Sequence, residues 1–297
     1  MAYIEINHLT KDYGKGRGIF DINLEIEKGE IYGFVGVNGA GKTTTIRHMM
    51  GFLNPDEGSV TINGLDATKS SAEVKRYVAY VPGEINFPGD MTGEEFLKEQ
   101  IYLSGHGSWE RAKELSELLQ LDTAVNIRAM SKGMKQKTAI VSAFASDAEI
   151  LIMDEPTTGL DPLMRDLFLD LVREEQEKGK TVFMSSHIYQ ELEEVCDQTA
   201  VIRQGKIIDI VDMKKIRYNQ NKIYRMEFKT SKDFNDFLDL GYQLKQVKAE
   251  DLQVFVQIHD QNINKLIQDL KTYDLVYFKE IKESFENYVT EIFKEEI

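Results

Sequence analysis

Residues 36–44 read Gly36-Val37-Asn38-Gly39-Ala40-Gly41-Lys42-Thr43-Thr44, a complete G-x-x-x-x-G-K-T pattern between an apolar run and a helical run. Glycines let backbone N–H groups turn inward around an anion, and the N-terminus of the next helix adds the positive end of its dipole. The pattern predicts a phosphate-binding loop in which Lys42 contacts the terminal phosphates of a nucleotide and Thr43 offers its hydroxyl to Mg²⁺. The candidate nucleotide contacts are Gly36, Asn38, Gly39, Ala40, Gly41, Lys42, Thr43 and Thr44. A chance glycine-rich turn would match in roughly 1% of such chains.

Two adjacent acids, Asp154 and Glu155, follow the apolar run ILIM and precede Pro156. We predict that Asp154 holds Mg²⁺ and that Glu155 polarises the attacking water, so that Glu155 and Lys42 are candidate catalytic residues. The alternative is a strand that merely ends in solvated acids. The phosphate-binding loop in the same chain favours the catalytic interpretation.

Short β-rich runs alternate with longer helical segments up to about Asp209, which predicts an α/β fold with a mostly parallel sheet. The N-terminal residues alternate apolar and polar side chains and read as antiparallel strand, whereas 84–147 reads as a helical insert. The predicted strands of the parallel sheet are Ile31–Gly36, Tyr77–Val81, Ile150–Met153, Thr181–Ser185 and Thr199–Arg203. Gln204 and Gly205 then supply the turn of a hairpin.

A different pattern follows the hairpin and indicates a second, smaller domain. Its predicted elements are a strand at 223–227, a helix at 231–240, strands at 243–248 and 252–258, a helix at 261–272, a strand at 275–281 and a helical tail. This order predicts a small α+β domain of ferredoxin-like type. The proposed boundaries are 1–214 and 219–297. We expect the clustered aromatics Tyr273, Tyr277, Phe278 and Phe285 to form core rather than a ligand box.

The composition limits the choice of partners. The formal net charge of −14 argues against a surface that binds nucleic acid or anionic lipid directly, because either needs clustered Lys and Arg. The single cysteine, Cys196, cannot form an intramolecular disulfide, which favours a reducing, cytoplasmic environment. No apolar run approaches eighteen residues, so any membrane role is expected to go through a partner.

Further motifs resemble one family. The segment Met130–Gln136, MSKGMKQ, resembles the signature of ABC ATPases, usually written LSGGQ, and precedes Asp154 as it does in that family. In the family's order, Tyr13 in KDYG resembles the aromatic A-loop residue, Thr158–Asp161 the D-loop and His187 in SSH the switch histidine. The resemblance covers the first domain and leaves the second without a counterpart.

The resemblance implies an ATP- and Mg²⁺-dependent ATPase in which two copies, or two related chains, sandwich two ATP molecules. Tyr13 would stack on adenine, while Ser131 and the Gly133 backbone would bind the γ-phosphate of ATP held by the other subunit. Asp161 of the D-loop and His187 would act at the same interface, with His187 as a catalytic residue. Taken singly, Tyr13 could be packing, Ser131 a helix cap and His187 a cap or a surface residue.

One position departs from the family pattern. The family has glutamine at the end of the strand before the helical insert, where this sequence has Gly83. The missing amide would help to hold Mg²⁺ and to relay the nucleotide state. We hypothesise that Glu84 or a water molecule supplies the oxygen ligand instead.

The favoured function is therefore the ATP-hydrolysing subunit of an ABC transporter, located in the cytoplasm at the inner face of the cell membrane through an integral-membrane permease. The motif sequences, such as SKGMKQK and TTGLDP, resemble those of ABC transporters that export drugs, antimicrobial peptides or other amphiphiles. The segment 83–105 is the candidate docking surface for the permease. The alternatives are a non-transport ABC ATPase acting on ribosomes or in repair, and a regulatory module that senses ATP without turnover.

Overall fold

The computed structural model describes residues 2–281 and 284–295. Contacts divide the chain into two compact units, Met1–Met213 and Lys214–Ile297. We retain the boundaries proposed from the sequence, 1–214 and 219–297, as a prediction; their outermost residues lie outside the described ranges. Within the described ranges, no helix combines the length and the apolar character needed to cross a bilayer.

The elements follow in chain order. The strands are β1 (Ile4–Asp12), β2 (Gly18–Ile26), β3 (Ile31–Val35), β4 (Glu57–Ile62), β5 (Leu65–Asp66), β6 (Val78–Val81), β7 (Ile150–Asp154), β8 (Thr181–Ser186), β9 (Gln198–Arg203), β10 (Lys206–Asp212), β11 (Asn221–Phe228), β12 (Gln243–Lys248), β13 (Gln253–His259) and β14 (Leu275–Ile281). The α-helices are α1 (Lys42–Met49), α2 (Ser71–Val74), α3 (Gly93–Ser104), α4 (Trp109–Leu118), α5 (Lys132–Phe144), α6 (Pro162–Glu177), α7 (Tyr189–Val195), α8 (Met213–Arg217), α9 (Ser231–Leu238), α10 (Ile263–Leu270) and α11 (Phe285–Glu295).

A six-stranded sheet forms the centre of the first unit, with strand order β10-β9-β3-β8-β7-β6. Neighbours from β9 to β6 are parallel, and β10 pairs antiparallel with β9 through the hairpin predicted at Gln204 and Gly205. Every residue of β3, β7 and β8 is buried, as expected for parallel strands covered on both faces. The predicted α/β fold is confirmed, with strand ends shifted by one residue.

The N-terminal strands form a separate antiparallel sheet, in the order β2-β1-β4-β5. Its inward side chains, among them Ile4, Ile6 and Leu24, join one apolar core with side chains of the parallel sheet such as Phe34 and Ile152. This packing places the ends of β1 and β2 beside the loop that precedes α1. The antiparallel N-terminal part predicted from alternating side chains is confirmed.

The predicted helical insert consists of α3, α4 and α5, which pack against one another. The α3 helix begins with a capping box, in which the Thr92 hydroxyl accepts the Glu95 N–H and the Glu95 carboxylate accepts the Thr92 N–H. On α4, Arg111 reaches the buried carboxylate of Glu175, which also pairs with Lys178 and Lys180. Burial opposes ionisation of Glu175, but the hydrogen bonds from both lysines hold its pKa below the usual range.

The second unit is a four-stranded antiparallel sheet in the order β12-β13-β11-β14. With α9 after β11 and α10 after β13, this is the ferredoxin-like order predicted from the sequence. Tyr224, Met226 and Phe228 of β11 point into its core, where Phe228 meets Phe234 and Phe237 of α9. The fold of this unit follows from alternating burial on β11 and β13.

The aromatic residues predicted to lie in the core divide into two groups. Phe285 is fully buried, and Tyr273 packs edge-on against Phe228. The prediction is wrong for Phe278, which is 44% exposed although its ring stacks on Tyr224. It lies on β14, one of the two edge strands of the sheet, which has a neighbouring strand on one side only. Half-buried Tyr277 lies under the Arg225 guanidinium as a cation–π pair.

Candidate functional site

The loop before α1 requires glycine at two positions. Gly41 has φ 117°, a left-handed conformation, and a Cβ added there would approach Ile19 Cγ2 at 2.6 Å. A Cβ on Gly36 would collide with the carbonyl oxygen of Ile202. The loop is thus pressed between β2 and the end of β9, where a side chain would displace its backbone.

Lys42 begins α1 and is only 5% exposed. Its ammonium donates to the carbonyl oxygen of Gly36 at 2.6 Å and lies 3.2 Å from Glu155 Oε1. A buried ammonium needs compensating acceptors, and these two supply them. The ammonium is therefore held at the loop, where an incoming phosphate can compete for it.

Thr43 and Asp154 meet at the end of β7. The Thr43 hydroxyl donates to Asp154 Oδ2 at 2.7 Å, and the Ser185 hydroxyl donates to Oδ1 at 2.6 Å. Asp154 is 2% exposed, so its carboxylate orientation is set by these hydroxyls rather than by water. The sequence predicted Thr43 and Asp154 as partners but did not indicate Ser185.

Glu155 follows with an unusual backbone. Its φ is 48°, in the left-handed region, and its N–H donates to both the carbonyl (3.1 Å) and the hydroxyl (3.0 Å) of Ser185. In this conformation its carboxylate lies between Lys42 and His187, whose Nδ1 is 3.1 Å from Oε2. The three predicted catalytic residues thus come together, and His187 remains half exposed on the open side.

A cleft of about 740 Å³ opens above the loop. Its lining includes the predicted residues Tyr13, Asn38, Gly39, Gly41, Lys42, Thr43, Thr44 and Glu155. Gly36 and Ala40 lie buried beneath, where the Ala40 carbonyl accepts the Gly205 N–H at 2.9 Å. Tyr13 lines the cleft and is 49% exposed, so part of its ring is available for stacking.

The same lining includes four side chains that the sequence reading missed: Arg17, Phe20, Gln204 and Lys206. They come from the β1–β2 hairpin and the β9–β10 hairpin. A hydrogen bond from the Phe20 N–H to the Gly205 carbonyl, 2.7 Å long, joins the two hairpins. The hairpin was predicted, but its approach to the loop depends on contacts between residues far apart in sequence.

The signature-like segment lies at the start of α5. The Ser131 hydroxyl accepts the Met134 N–H at 3.2 Å, and a Cβ on Gly133 would lie 2.9 Å from the Gly159 carbonyl oxygen. Buried Gln136 donates to the Pro156 carbonyl at 2.8 Å, which ties α5 to the loop after β7. Ser131 is exposed and does not line the cleft. The cap role is visible in the structure, and the phosphate-binding roles of Ser131 and Gly133 stay predictions.

The D-loop-like segment is anchored at both ends. Asp161 caps α6 by accepting the Met164 N–H at 3.0 Å. Directly before the segment, Thr157 donates to the buried carboxylate of Glu191, which also accepts from Ser186. Burial raises the pKa of Glu191 in spite of these hydrogen bonds. The segment leading to Asp161 is therefore linked to the strand end that carries His187.

At the position of the missing glutamine, Gly83 lies against Asp154: a Cβ on it would be 3.1 Å from Oδ2. Glu84 is exposed and stays a predicted ligand. Nearby, burial and, to a smaller extent, the Asp154 carboxylate raise the pKa of Tyr80 to about 12, which keeps this phenol neutral.

The oxygen atoms beside the loop suit a magnesium ion. Thr43 Oγ1 and Asp154 Oδ2 are 2.7 Å apart, and Gly83 places no side chain beside them. A hydroxyl and a carboxylate are hard oxygen ligands of the kind Mg²⁺ prefers, with its other positions left to water and phosphate. The donor set thus fits the predicted metal.

Comparisons with known proteins also identify a nucleotide-binding family. The family profile described as "ABC transporter" matches residues 19–158. The ABC transporter ATP-binding protein NatA of Bacillus subtilis is 37% identical over 198 residues, 65% of this chain and 80% of NatA. The bacitracin transport ATP-binding protein BcrA of Bacillus licheniformis is 35% identical over 234 residues, 77% of this chain and 75% of BcrA.

A solved structure described as the ATP binding subunit of an ABC transporter superposes with a TM-score of 0.65 at 30% identity. The match covers 73% of this chain and 92% of that one.

Proposed function

From the premise that this chain belongs to the ATP-binding, ATP-hydrolysing subunits of ABC transporters, we propose that it powers a separate integral-membrane permease as one half of an ATPase dimer. The observation that carries the proposal is the Glu155 carboxylate held between Lys42 and His187, beside the Thr43–Asp154 pair. This set of groups suits hydrolysis of a terminal phosphate, and a binding-only module has no need of the base.

In our proposal each residue of the site has a separate role in ATP binding or hydrolysis. Lys42 exchanges its contact with Glu155 for the phosphates, which frees that carboxylate to accept a proton from the attacking water. His187 orients the Glu155 carboxylate and contacts the terminal phosphate. Magnesium, held by Thr43 and Asp154, would neutralise phosphate charge. Tyr13 provides the stacking face for adenine.

The second subunit completes the site in this proposal. Exposed Ser131, together with the backbone of Gly133, presents hydrogen-bond donors at the start of α5, and this surface is directed to nucleotide held by the partner. Asp161 and His187 act at the same interface. ATP that touches both subunits favours the closed dimer, and cleavage removes that preference.

The permease is proposed to dock at a groove between β6 and the helical insert. This groove of about 340 Å³ is lined by apolar residues that include Tyr80, Phe87, Phe96 and Ile101. The same α3 helix carries Tyr102 and Leu103, which are 83% and 66% exposed. Large exposed apolar side chains beside a groove are typical of interaction sites.

We expect the double change Tyr102→Ala and Leu103→Ser to weaken permease binding at least about 10-fold, because it removes apolar area from the proposed contact. ATPase activity of the isolated chain should stay unchanged, since neither residue lines the cleft. The measurements are co-purification with a candidate permease and, in proteoliposomes, stimulation of ATPase activity by that permease. Exposed Leu240→Ser in the second unit is the matched control. Undiminished stimulation in the double variant would exclude this surface.

Glu84 is retained as a proposed oxygen ligand, direct or through water, in place of the glutamine amide. Glu84→Ala is then expected to raise the Mg²⁺ concentration that half-saturates ATPase by roughly 10-fold. Asp90→Ala, an exposed acid in the same loop, is the control for a general loss of negative charge. Equal Mg²⁺ titrations for Glu84→Ala and the unmodified chain would remove Glu84 from the site.

We propose export as the direction, with an amphiphilic compound as cargo and the chain at the cytoplasmic face of the membrane. BcrA is named for bacitracin transport and another relative for Nod factor export, and these names support the proposed direction. The test is cellular: cells that express the chain with its permease should tolerate such compounds better than cells that carry the Glu155→Gln variant. Equal tolerance across a panel of amphiphilic antibiotics would argue against this cargo class.

A further inference from the structure

A single hydroxyl, that of Ser185, contacts both acids of the site. It donates to Asp154 Oδ1 at 2.6 Å and accepts the Glu155 N–H at 3.0 Å. The Ser185 carbonyl accepts the same N–H at 3.1 Å. One residue of β8 therefore restrains the side chain of one acid and the backbone of the next.

The sheet explains this placement. Asp154 and Ser185 are register partners on the parallel strands β7 and β8, and Ser185 is fully buried. Because water does not reach the pair, the hydrogen bond to the carboxylate is strong and its loss would leave an oxygen unsatisfied. Among residues 2–281 and 284–295, Thr43 and Ser185 are the side chains that hydrogen-bond to Asp154.

Gly83 increases the dependence on Ser185. Residue 83, two positions after the end of β6, lies against Asp154 but has no side chain that could hold the carboxylate. Of the two hydroxyls that do, Thr43 is itself a proposed metal ligand. Ser185 is the one that can fix the carboxylate without binding the metal.

We propose that Ser185 is a positioning residue of the ATPase site. Its hydroxyl orients Asp154 for magnesium and, through the Glu155 N–H, stabilises the left-handed backbone that directs the Glu155 carboxylate to Lys42 and His187. A non-glycine residue at φ 48° persists only when its surroundings hold it. The inference rests on the proposed magnesium site.

The test compares Ser185→Ala and Ser185→Cys with the unmodified chain. Alanine removes the hydroxyl, and cysteine retains volume but donates only weakly. Thr181→Val is the matched control, because Thr181 is an equally buried hydroxyl on β8 that instead accepts the Gly29 N–H. For each protein, ATP affinity is measured by calorimetry in EDTA and in Mg²⁺, together with kcat, KM and the melting temperature.

We expect both Ser185 variants to bind ATP in EDTA within about 2-fold of the unmodified chain, because Lys42 and the loop are untouched. The gain in ATP affinity from Mg²⁺ should fall roughly 10-fold or more. In steady-state kinetics with Mg²⁺, kcat should fall and KM for ATP should rise with the lost affinity. Thr181→Val should keep both the Mg²⁺ gain and kcat, although it loses stability.

A normal Mg²⁺ gain and kcat in the folded Ser185 variants would overturn the inference and leave the proposed function intact. A loss of Mg²⁺ gain in Thr181→Val equal to that in Ser185→Ala would also overturn it, because the effect would then follow from stability. If the unmodified chain bound ATP with the same affinity in EDTA and in Mg²⁺, the proposed magnesium site itself would be contradicted.

Discussion

Glu155→Gln is expected to lower the rate of ATP hydrolysis by a factor of about 10² to 10⁴, the usual contribution of a positioned general base. The amide keeps the size of the side chain and a hydrogen bond to His187, but it cannot accept a proton from water. Nucleotide binding should survive, because Lys42 keeps its hydrogen bond to the Gly36 carbonyl. Steady-state phosphate release and ATP titration measure the two effects.

The same variant should accumulate as an ATP-bound dimer, since the step that opens the dimer is blocked. Light scattering after gel filtration with ATP and Mg²⁺ should give twice the 34.1 kDa of one chain, and ADP should give the single mass. Glu177→Gln, an exposed change at the end of α6, is the control and should hydrolyse ATP normally. A Glu155→Gln variant that stays monomeric with ATP would contradict the proposed sandwich.

Lys42→Ala is expected to weaken ATP binding by roughly 10- to 100-fold, the value of a charged hydrogen bond at a buried site, and to bring hydrolysis close to background. The loss has two parts. The phosphates lose their ammonium, and the Glu155 carboxylate, 3.2 Å away in the unmodified chain, loses its counter-charge and repels them. Calorimetric ATP titration is the direct measurement.

Two further variants define the cause of that loss. Lys42→Arg retains the charge but replaces a compact ammonium with a wide planar group, and a site that is 5% exposed should not accept it without loss of affinity. Lys245→Ala, an exposed lysine of the second unit, should bind ATP normally. Unaltered ATP affinity in Lys42→Ala would place the phosphates elsewhere and refute the site.

The residues of the site differ in how far the sequence could identify them. The sequence identifies four of them, because they form two adjacent pairs that each follow a buried strand: Lys42 with Thr43, and Asp154 with Glu155. Ser185 gave no such signal: a serine near a strand end is common, and its contact with Asp154 exists only because β7 lies next to β8. Phe278 was predicted to lie in the core because aromatic residues in strands are usually buried. Its position on an edge strand, which the sequence does not reveal, leaves it exposed.

The sequence by itself determined the phosphate-binding loop, the two acids, the α/β alternation and the order of elements in the second unit. These are local patterns of backbone conformation and burial, which neighbouring residues specify. Only the tertiary structure decided which strand ends meet. It brought His187 to Glu155, placed the Gln204 hairpin over the loop and set Ser185 between the acids. Strand order arises from packing between distant segments, and no local pattern encodes it.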